Sequence, residues 1–295
     1  MIETYKKTEL EKLIRAHRLR PSKFLGQNFL TDRNIAEKIV RSLNIAPEDR
    51  VVEIGPGAGA LTVLLAQLAG RVTAVELDRR IMPALREATE GLPAIGLVNE
   101  DFLKFDVSAG QAAGEGTAQN AGAFKIVGNL PYYITTAIIA KLYEPPKGGL
   151  APSPPALAVF MVQKEVAERL ISPPGKKTYG AISVLVQYYT EAELLFEVSR
   201  EVFTPKPGVD SAVIRLTPRD LSADDPEASA RMFRLVRAGF DMRRKTLRNS
   251  FASAGFSEAA LLAALETAGI DPIRRAETLS PRDFYAVAKN IPAPE

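Results

Sequence analysis

Four consecutive residues, Asn129-Leu130-Pro131-Tyr132, bring together two carbonyl acceptors, a fixed φ and an aromatic face. That set suits one kind of nucleophile. The lone pair of an exocyclic adenine amine is delocalised into its ring. Acceptors that draw the amine hydrogens out of the ring plane localise the pair toward an electrophilic carbon. The Asn129 side-chain oxygen and the Leu130 carbonyl are such acceptors. Pro131 fixes the local φ and holds that carbonyl outward. Tyr132 offers a surface for an extruded base, worth roughly 1–3 kcal/mol in stacking. In-line displacement at a sulfonium methyl would then depend on positioning. It needs no strong base, because the amine becomes acidic as it gains the methyl group. The plain alternative is an Asn-x-Pro turn with an exposed tyrosine. The position of the tetrapeptide, after a fourth strand that follows a glycine loop and two acids, argues against it.

The glycine loop is Glu53-Ile-Gly55-Pro-Gly57-Ala-Gly59, at a strand-to-helix turn where glycine lets backbone approach a ligand. Gly55, Gly57 and Ala60 also satisfy the dinucleotide fingerprint, so NAD is a rival ligand. Glu76 ends the next strand, where a ribose-binding carboxylate belongs for either ligand. Two features favour a methyl donor. Glu53 precedes the loop and could meet a cationic methionine end, whereas a pyrophosphate gains nothing from that charge. Glu100-Asp101-Phe102 follows the third strand, where Asp101 could accept from an adenine amine and Phe102 pack on the ring. Asp101 could equally be a turn cap.

These residues must be carried by a scaffold, and the spacing predicts one. Strands are expected at 50–54, 72–76, 94–98, 124–128 and 156–162, with helical spacing at 32–43, after Gly59, around Ile81 and Leu85, and at 135–143. The alternation predicts an α/β, doubly wound, Rossmann-like domain of the class I methyltransferase type. Segments 193–198 and 211–216 look like a closing antiparallel pair. After Pro218 β-forming residues thin out and helices are expected around 226–252, 257–268 and 281–289. The expected domains are 1–217, carrying the chemistry and a basic N-terminal arm, and 218–295, a small all-helical RNA-binding domain. The low-complexity stretch 108–123 and the proline-rich stretches 144–155 and 172–177 read as surface loops.

The chain has 295 residues, 46% of them hydrophobic, with no cysteine and one histidine, His17. Disulfides, thiolate-metal sites and cysteine nucleophiles are excluded, as is any mechanism needing two histidines. No metal site is expected. No membrane-length apolar run or secretory signal is present, so a cytoplasmic protein is expected, and a monomer. The net charge is +3 and the pI about 9.0. Arg15, Arg18, Arg20 and Lys23 form one basic run. Arg231, Arg234, Arg237, Arg243, Arg244, Lys245 and Arg248 form another. Each run reads either as a solvated helix face or as RNA-phosphate contacts, and two of them flanking one core favour the second.

From about residue 20 to 285 the chain resembles the ribosomal RNA adenine dimethyltransferases. The blocks are KFLGQNFL (23–30), EIGPGAGALT (53–62), VELD (75–78), EDFLKFD (100–106), GNLPYYITT (128–136), QKEVAERL (163–170) and FTPKPGVDSAV (203–213), in order. The resemblance implies S-adenosylmethionine as cofactor, with contacts at Gln27, Asn28, Leu30, Gly55, Glu76, Asp101 and Asn129. Glu53, Gly57, Gly59, Leu77 and Phe102 complete the expected cofactor set. It further implies that Phe203 stacks the target base opposite Tyr132. A buried role for Phe203 is less natural in a proline-rich loop, and Gln27-Asn28 could instead cap the helix at 32–43. Segment 233–251 resembles an RNA-facing helical part, with Phe233, Val236, Phe240, Leu247 and Phe251 inward. Arg234, Arg237, Arg243, Arg244, Lys245 and Arg248 would then face RNA. The small-subunit branch fits best, implying dimethylation of two adjacent adenosines in the 3′-terminal hairpin loop on a pre-30S particle. Rivals are a large-subunit methyltransferase of the macrolide-resistance type and an NAD-dependent dehydrogenase; a ribosome-assembly factor that binds RNA and checks maturation is a third reading, which can coexist with the enzymatic one.

Overall fold

The computed structural model describes residues 2–22, 25–92, 94–107, 124–131, 134–143 and 154–292. The expected loops at 108–123 and most of 144–155 lie outside them, as do Lys23 and Tyr132.

Continuous runs of branched aliphatic residues make the central strands, as burial on both faces requires. The parallel set is β2 (Arg50–Ile54), β3 (Arg71–Glu76), β4 (Ile95–Asn99), β5 (Phe124–Asn129) and β6 (Leu157–Gln163). With β7 (Thr190–Val198) and β9 (Ser211–Pro218) they form a seven-stranded sheet in the order β4-β3-β2-β5-β6-β9-β7. The Rossmann-like expectation holds. The two late strands lie side by side at the end of the sheet, as expected, with β9 between β6 and β7 and antiparallel to β6. A separate two-stranded ribbon pairs β1 (Phe29–Leu30) with β8 (Phe203–Thr204).

Strand order places the site. From β2 the chain runs outward to β4, then returns to lay β5 along the other side of β2. The carboxyl ends of β2 and β5 therefore flank a topological switch point, where α/β sheets open a ligand crevice. Ile54 lies opposite Gly128 in that pairing, so the glycine loop and Asn129 leave the sheet side by side. A Cβ on Gly128 would come within 2.8 Å of the Ile54 carbonyl oxygen, so only glycine fits there.

Helices α2 (Arg33–Arg41), α3 (Thr62–Leu65), α4 (Met82–Ala88) and α5 (Thr135–Tyr143) cover the parallel strands. Asp32 caps α2 by accepting from the Ile35 amide, so Gln27 and Asn28 are not its caps. An additional amphipathic helix, α1 (Lys7–Ala16), places Leu10 and Leu13 in a cluster with Phe29, Ala58, Ile81 and Ala84. The N-terminal segment is thus packed onto the glycine loop and α4.

The chain forms two compact units. The sheet unit ends at Thr217, and the helical unit takes the chain from Pro218 together with Glu168–Ala192. That earlier segment was not expected there. Its helix, α7 (Ala181–Tyr189), follows α6 (Lys164–Leu170) and is built from Ile, Val and Tyr, residues with strand preference. Packing overrides that preference: Tyr189 stacks on Phe233 at 5.5 Å, and the Tyr188 hydroxyl meets Asp224 at 2.8 Å and Ser229 at 2.7 Å. The expected helix over 226–252 is two, α8 (Pro226–Asp241) and α9 (Leu247–Phe251), followed by α10 (Glu258–Thr267) and α11 (Pro281–Lys289). Phe233, Val236, Leu247 and Phe251 are buried as expected, and Phe240 is partly so.

Candidate active site

An open crevice lies at the switch point, where small ligands enter α/β sheets. Of the expected cofactor residues it is lined by Gln27, Asn28, Leu30, Glu53, Gly55 and Gly57 on one stretch of wall. Glu76, Leu77, Asp101, Phe102 and Asn129 complete the set. Residues far apart in the sequence thus converge on one space. Pro131 also lines it, and Thr4 and Leu10 of the N-terminal segment contribute.

Gly55 and Gly57 both take the left-handed conformation, with φ of 64° and 57°. A Cβ on Gly57 would press the Phe29 ring at 3.1 Å. The Gly57 amide donates to a Glu76 carboxylate oxygen at 3.0 Å, and the Asp78 amide to the other at 2.8 Å. These bonds hold the carboxylate at the crevice wall, with lone pairs left for a diol. Burial pushes the Glu76 pKa up against them. Gly59 serves the turn into α3 and does not line the crevice.

Glu53 is 1% exposed, and a carboxylate oxygen accepts from the Thr62 hydroxyl at 2.6 Å. Burial pushes its pKa up to about 8, and neighbouring Glu76 adds to the rise. Its proximity suits a cationic group that would draw the proton off.

Asp101 accepts from the Leu103 amide at 2.9 Å, as a turn cap does, and also lines the crevice beside Phe102. Lys141 of α5 anchors this turn, donating to the Leu103 and Phe105 carbonyls at 2.8 Å each, 5.7 Å above the Phe102 ring. Burial lowers the Lys141 pKa. Nothing in the spacing of Lys141 announced this job. Asn99 likewise went unread; its amide nitrogen donates to the Glu76 carbonyl at 2.8 Å.

Gln27 closes its own loop by accepting from the Ser22 amide at 2.7 Å, and donates to Asp78 at 2.8 Å. Arg80, and then Gln27, hold the Asp78 pKa down to about 2. Asp78 was legible as the last residue of VELD, without an assigned role.

At the rim, the Asn129 amide nitrogen donates to the Asn28 backbone carbonyl at 3.0 Å. The amide nitrogen is thereby engaged, and among the described residues Oδ1 has no hydrogen-bond partner. The Leu130 amide donates to the Met161 carbonyl at 3.0 Å, and its side chain is buried. Phe203 is a correction to the view that a core role did not suit it. It is 4% exposed, in a cluster with Leu30, Val198 and Val213, and pairs with Leu30 across the ribbon. It does not line the crevice.

In the helical unit, Arg234, Arg237, Arg244, Lys245 and Arg248 are exposed. Arg243 is partly buried and donates to the Tyr179 carbonyl at 2.9 Å and to Glu277 at 3.1 Å. Arg234 lies over the Phe256 ring at 4.2 Å and donates to the Ala254 carbonyl at 2.6 Å. Arg248 pairs with Glu258 at 2.7 Å.

A glycine loop at the switch point, a buried acid ending the next strand and an oriented amide ending β5 define a Rossmann-like methyltransferase of class I. Comparison with known proteins narrows the class. The family described as ribosomal RNA adenine dimethylase matches residues 18–292. A ribosomal RNA small subunit methyltransferase A of Pelotomaculum thermopropionicum is 45% identical over 286 residues, covering 96% of this chain and 95% of its own. Among solved structures, a dimethyladenosine transferase from Plasmodium falciparum aligns with a TM-score of 0.73 at 26% identity, covering 88% of this chain and 95% of that one. A 23S rRNA methyltransferase aligns at 0.67 and 29%, covering 90% and 99%. The chain belongs to the ribosomal RNA adenine dimethylase family. The dehydrogenase reading falls with that assignment.

Proposed function

We propose that the protein transfers methyl groups from S-adenosylmethionine to N6 of two adjacent adenosines in the 3′-terminal hairpin loop of small-subunit ribosomal RNA. The substrate is the assembling 30S particle, and the enzyme acts as a monomer in the cytoplasm. The observation that carries the reading is the Asn129 side chain, whose nitrogen is tied to Asn28 and whose oxygen is left to accept from an amine.

The residues fit the donor. Glu76, held by two backbone amides, would accept from ribose hydroxyls. Asp101 and Phe102 would take the adenine, and buried Glu53 would face the cationic methionine end. Bound there, the cofactor supplies an electrophilic methyl carbon on sulfur. Asn129 and the Leu130 carbonyl orient the target amine and localise its lone pair. The methyl would pass to the amine nitrogen as its bond to sulfur breaks, with the electron pair left on sulfur and the amine proton lost to solvent. The base would have to be unpaired or flipped, because a duplex hides the amine. Tyr132 would stack on it. Exposed Arg244 and Lys245 would meet RNA phosphates, joined by Arg237 and Arg248, while Arg248 also pairs with Glu258 and Arg234 and Arg243 are committed partly to the fold.

Relatives named for the small subunit at 45% identity favour that substrate over the large-subunit one, represented by a structure at 29%. The test is transfer of labelled methyl to immature 30S particles and to naked 23S RNA, followed by nucleoside analysis. Dimethyladenosine in the small-subunit RNA is expected, and label confined to 23S RNA overturns the assignment. Asn129→Ala should abolish transfer while 30S binding persists. Wild-type turnover in that variant would remove Asn129 from the chemistry.

A further inference from the structure

Behind the Gln27 and Phe29 wall of the crevice lies a second bay, of about 610 Å³. Its charged lining is Arg18, Arg20, Asp78 and Arg80, with His17 beside them. Both acids at hand are already engaged. Asp78 pairs with Arg80 at 2.7 Å and accepts from Gln27, and Glu87 holds His17 at 2.6 Å. Arg18 and Arg20 are exposed and have no ion-pair partner among the described residues. Arginines of α2 contrast with them: Arg33 and Arg41 both bind Glu37 at 2.6 Å.

Arg18 is unexpected for a second reason. It follows the end of α1 in a Schellman turn, where the Leu19 amide donates to the Ile14 carbonyl at 2.9 Å and the Arg18 amide to the Arg15 carbonyl at 3.1 Å. The position is left-handed, with φ of 50°. Glycine is the favoured residue there, because a side chain is strained by its own Cβ. Every bond of the turn is a backbone bond, so the fold itself gains nothing from a guanidinium. A strained position holding an unpaired cation at the mouth of a bay calls for an anion.

We propose that this bay holds a backbone phosphate of the substrate RNA, gripped by Arg18 and Arg20 beside the cofactor wall. A guanidinium matches phosphate oxygens in geometry and charge. The inference rests on the RNA-methyltransferase reading and assigns to the N-terminal segment a phosphate grip distinct from those of the helical unit. It would fix the strand that presents the target base.

The test compares wild type with R18G and with the R18G/R20Q double variant, binding a labelled small-subunit RNA hairpin over a range of salt. Melting temperature and S-adenosylmethionine affinity are measured in parallel. R18G relieves the left-handed strain, so its melting temperature should match or exceed wild type, with cofactor affinity unchanged. RNA affinity should fall, and the slope of log affinity against log salt should shrink by about 0.7–0.9 for each phosphate that is no longer neutralised. The double variant should show the larger fall. Wild-type RNA affinity and slope in both variants overturn the proposal, as does weakened RNA binding that merely follows a lower melting temperature. If the wild-type protein neither binds nor methylates the RNA, the function proposed above fails. If it does both and the variants are unaffected, the bay alone fails.

Discussion

Glu53 is the residue whose chemistry is most tightly bound to its surroundings. A carboxyl raised to about 8 by burial is largely protonated at neutral pH when nothing cationic faces it. Its unfolded value is near 4.5. The folded state therefore binds the extra proton between those values, and stability falls as pH rises from about 4.5 through 8. Glu53→Gln should flatten that decline in melting temperature without ligand. Binding a sulfonium and an ammonium beside Glu53 should ionise it and release a proton at neutral pH. Calorimetric titration with S-adenosylmethionine in two buffers of different ionisation enthalpy reads that release directly. Identical heats in both buffers, or release that persists in the Gln variant, would show that the proton comes from elsewhere.

At the scale of elements, the ribbon of β1 and β8 is the joint most open to test. Phe203→Ala should leave a cavity and cost about 3–5 kcal/mol of stability. Slackening Leu30 and Asn28 should weaken cofactor binding as well. Phe203→Leu keeps most of the volume and should cost under about 1.5 kcal/mol, with turnover near wild type. If that variant were stable yet inactive, stacking of the base on Phe203 would be restored as its role. Gly57→Ala acts on the glycine loop itself. The left-handed φ and the Phe29 ring together predict a loss of about 1–2 kcal/mol and weaker S-adenosylmethionine binding, checked by thermal melting and titration.

Over the molecule as a whole, the RNA contacts proposed for the helical unit can be separated from the bonds that hold its fold. Arg244 and Lys245 are exposed, and neutralising both to Gln should reduce the salt dependence of RNA binding with the melting temperature unchanged. Arg243→Gln should do the reverse, costing about 1 kcal/mol through its bonds to Tyr179 and Glu277, with little change in salt slope. The parallel strands and the glycine loop were readable because they are local: apolar runs of strand length, and glycines where a turn must be left-handed. Asn129, Glu76 and Asp101 were readable because strand ends in this topology converge. What escaped depends on distant partners. Lys141 meets carbonyls more than thirty residues away in sequence, Phe203 is covered by a ribbon partner near the start of the chain, and α7 is helical because the Phe233 ring of α8 receives its tyrosines. No window of neighbouring residues contains that information.

A primary amide has two faces that differ only in sign: one attracts an incoming amino group, the other repels it. Half a turn about a single bond exchanges them. In this protein the choice is made by one peptide oxygen 101 positions earlier in the chain, at Asn28. Swinging that loop aside would move no atom of β5, yet it would free the amide to turn its nitrogen toward the crevice in place of its oxygen.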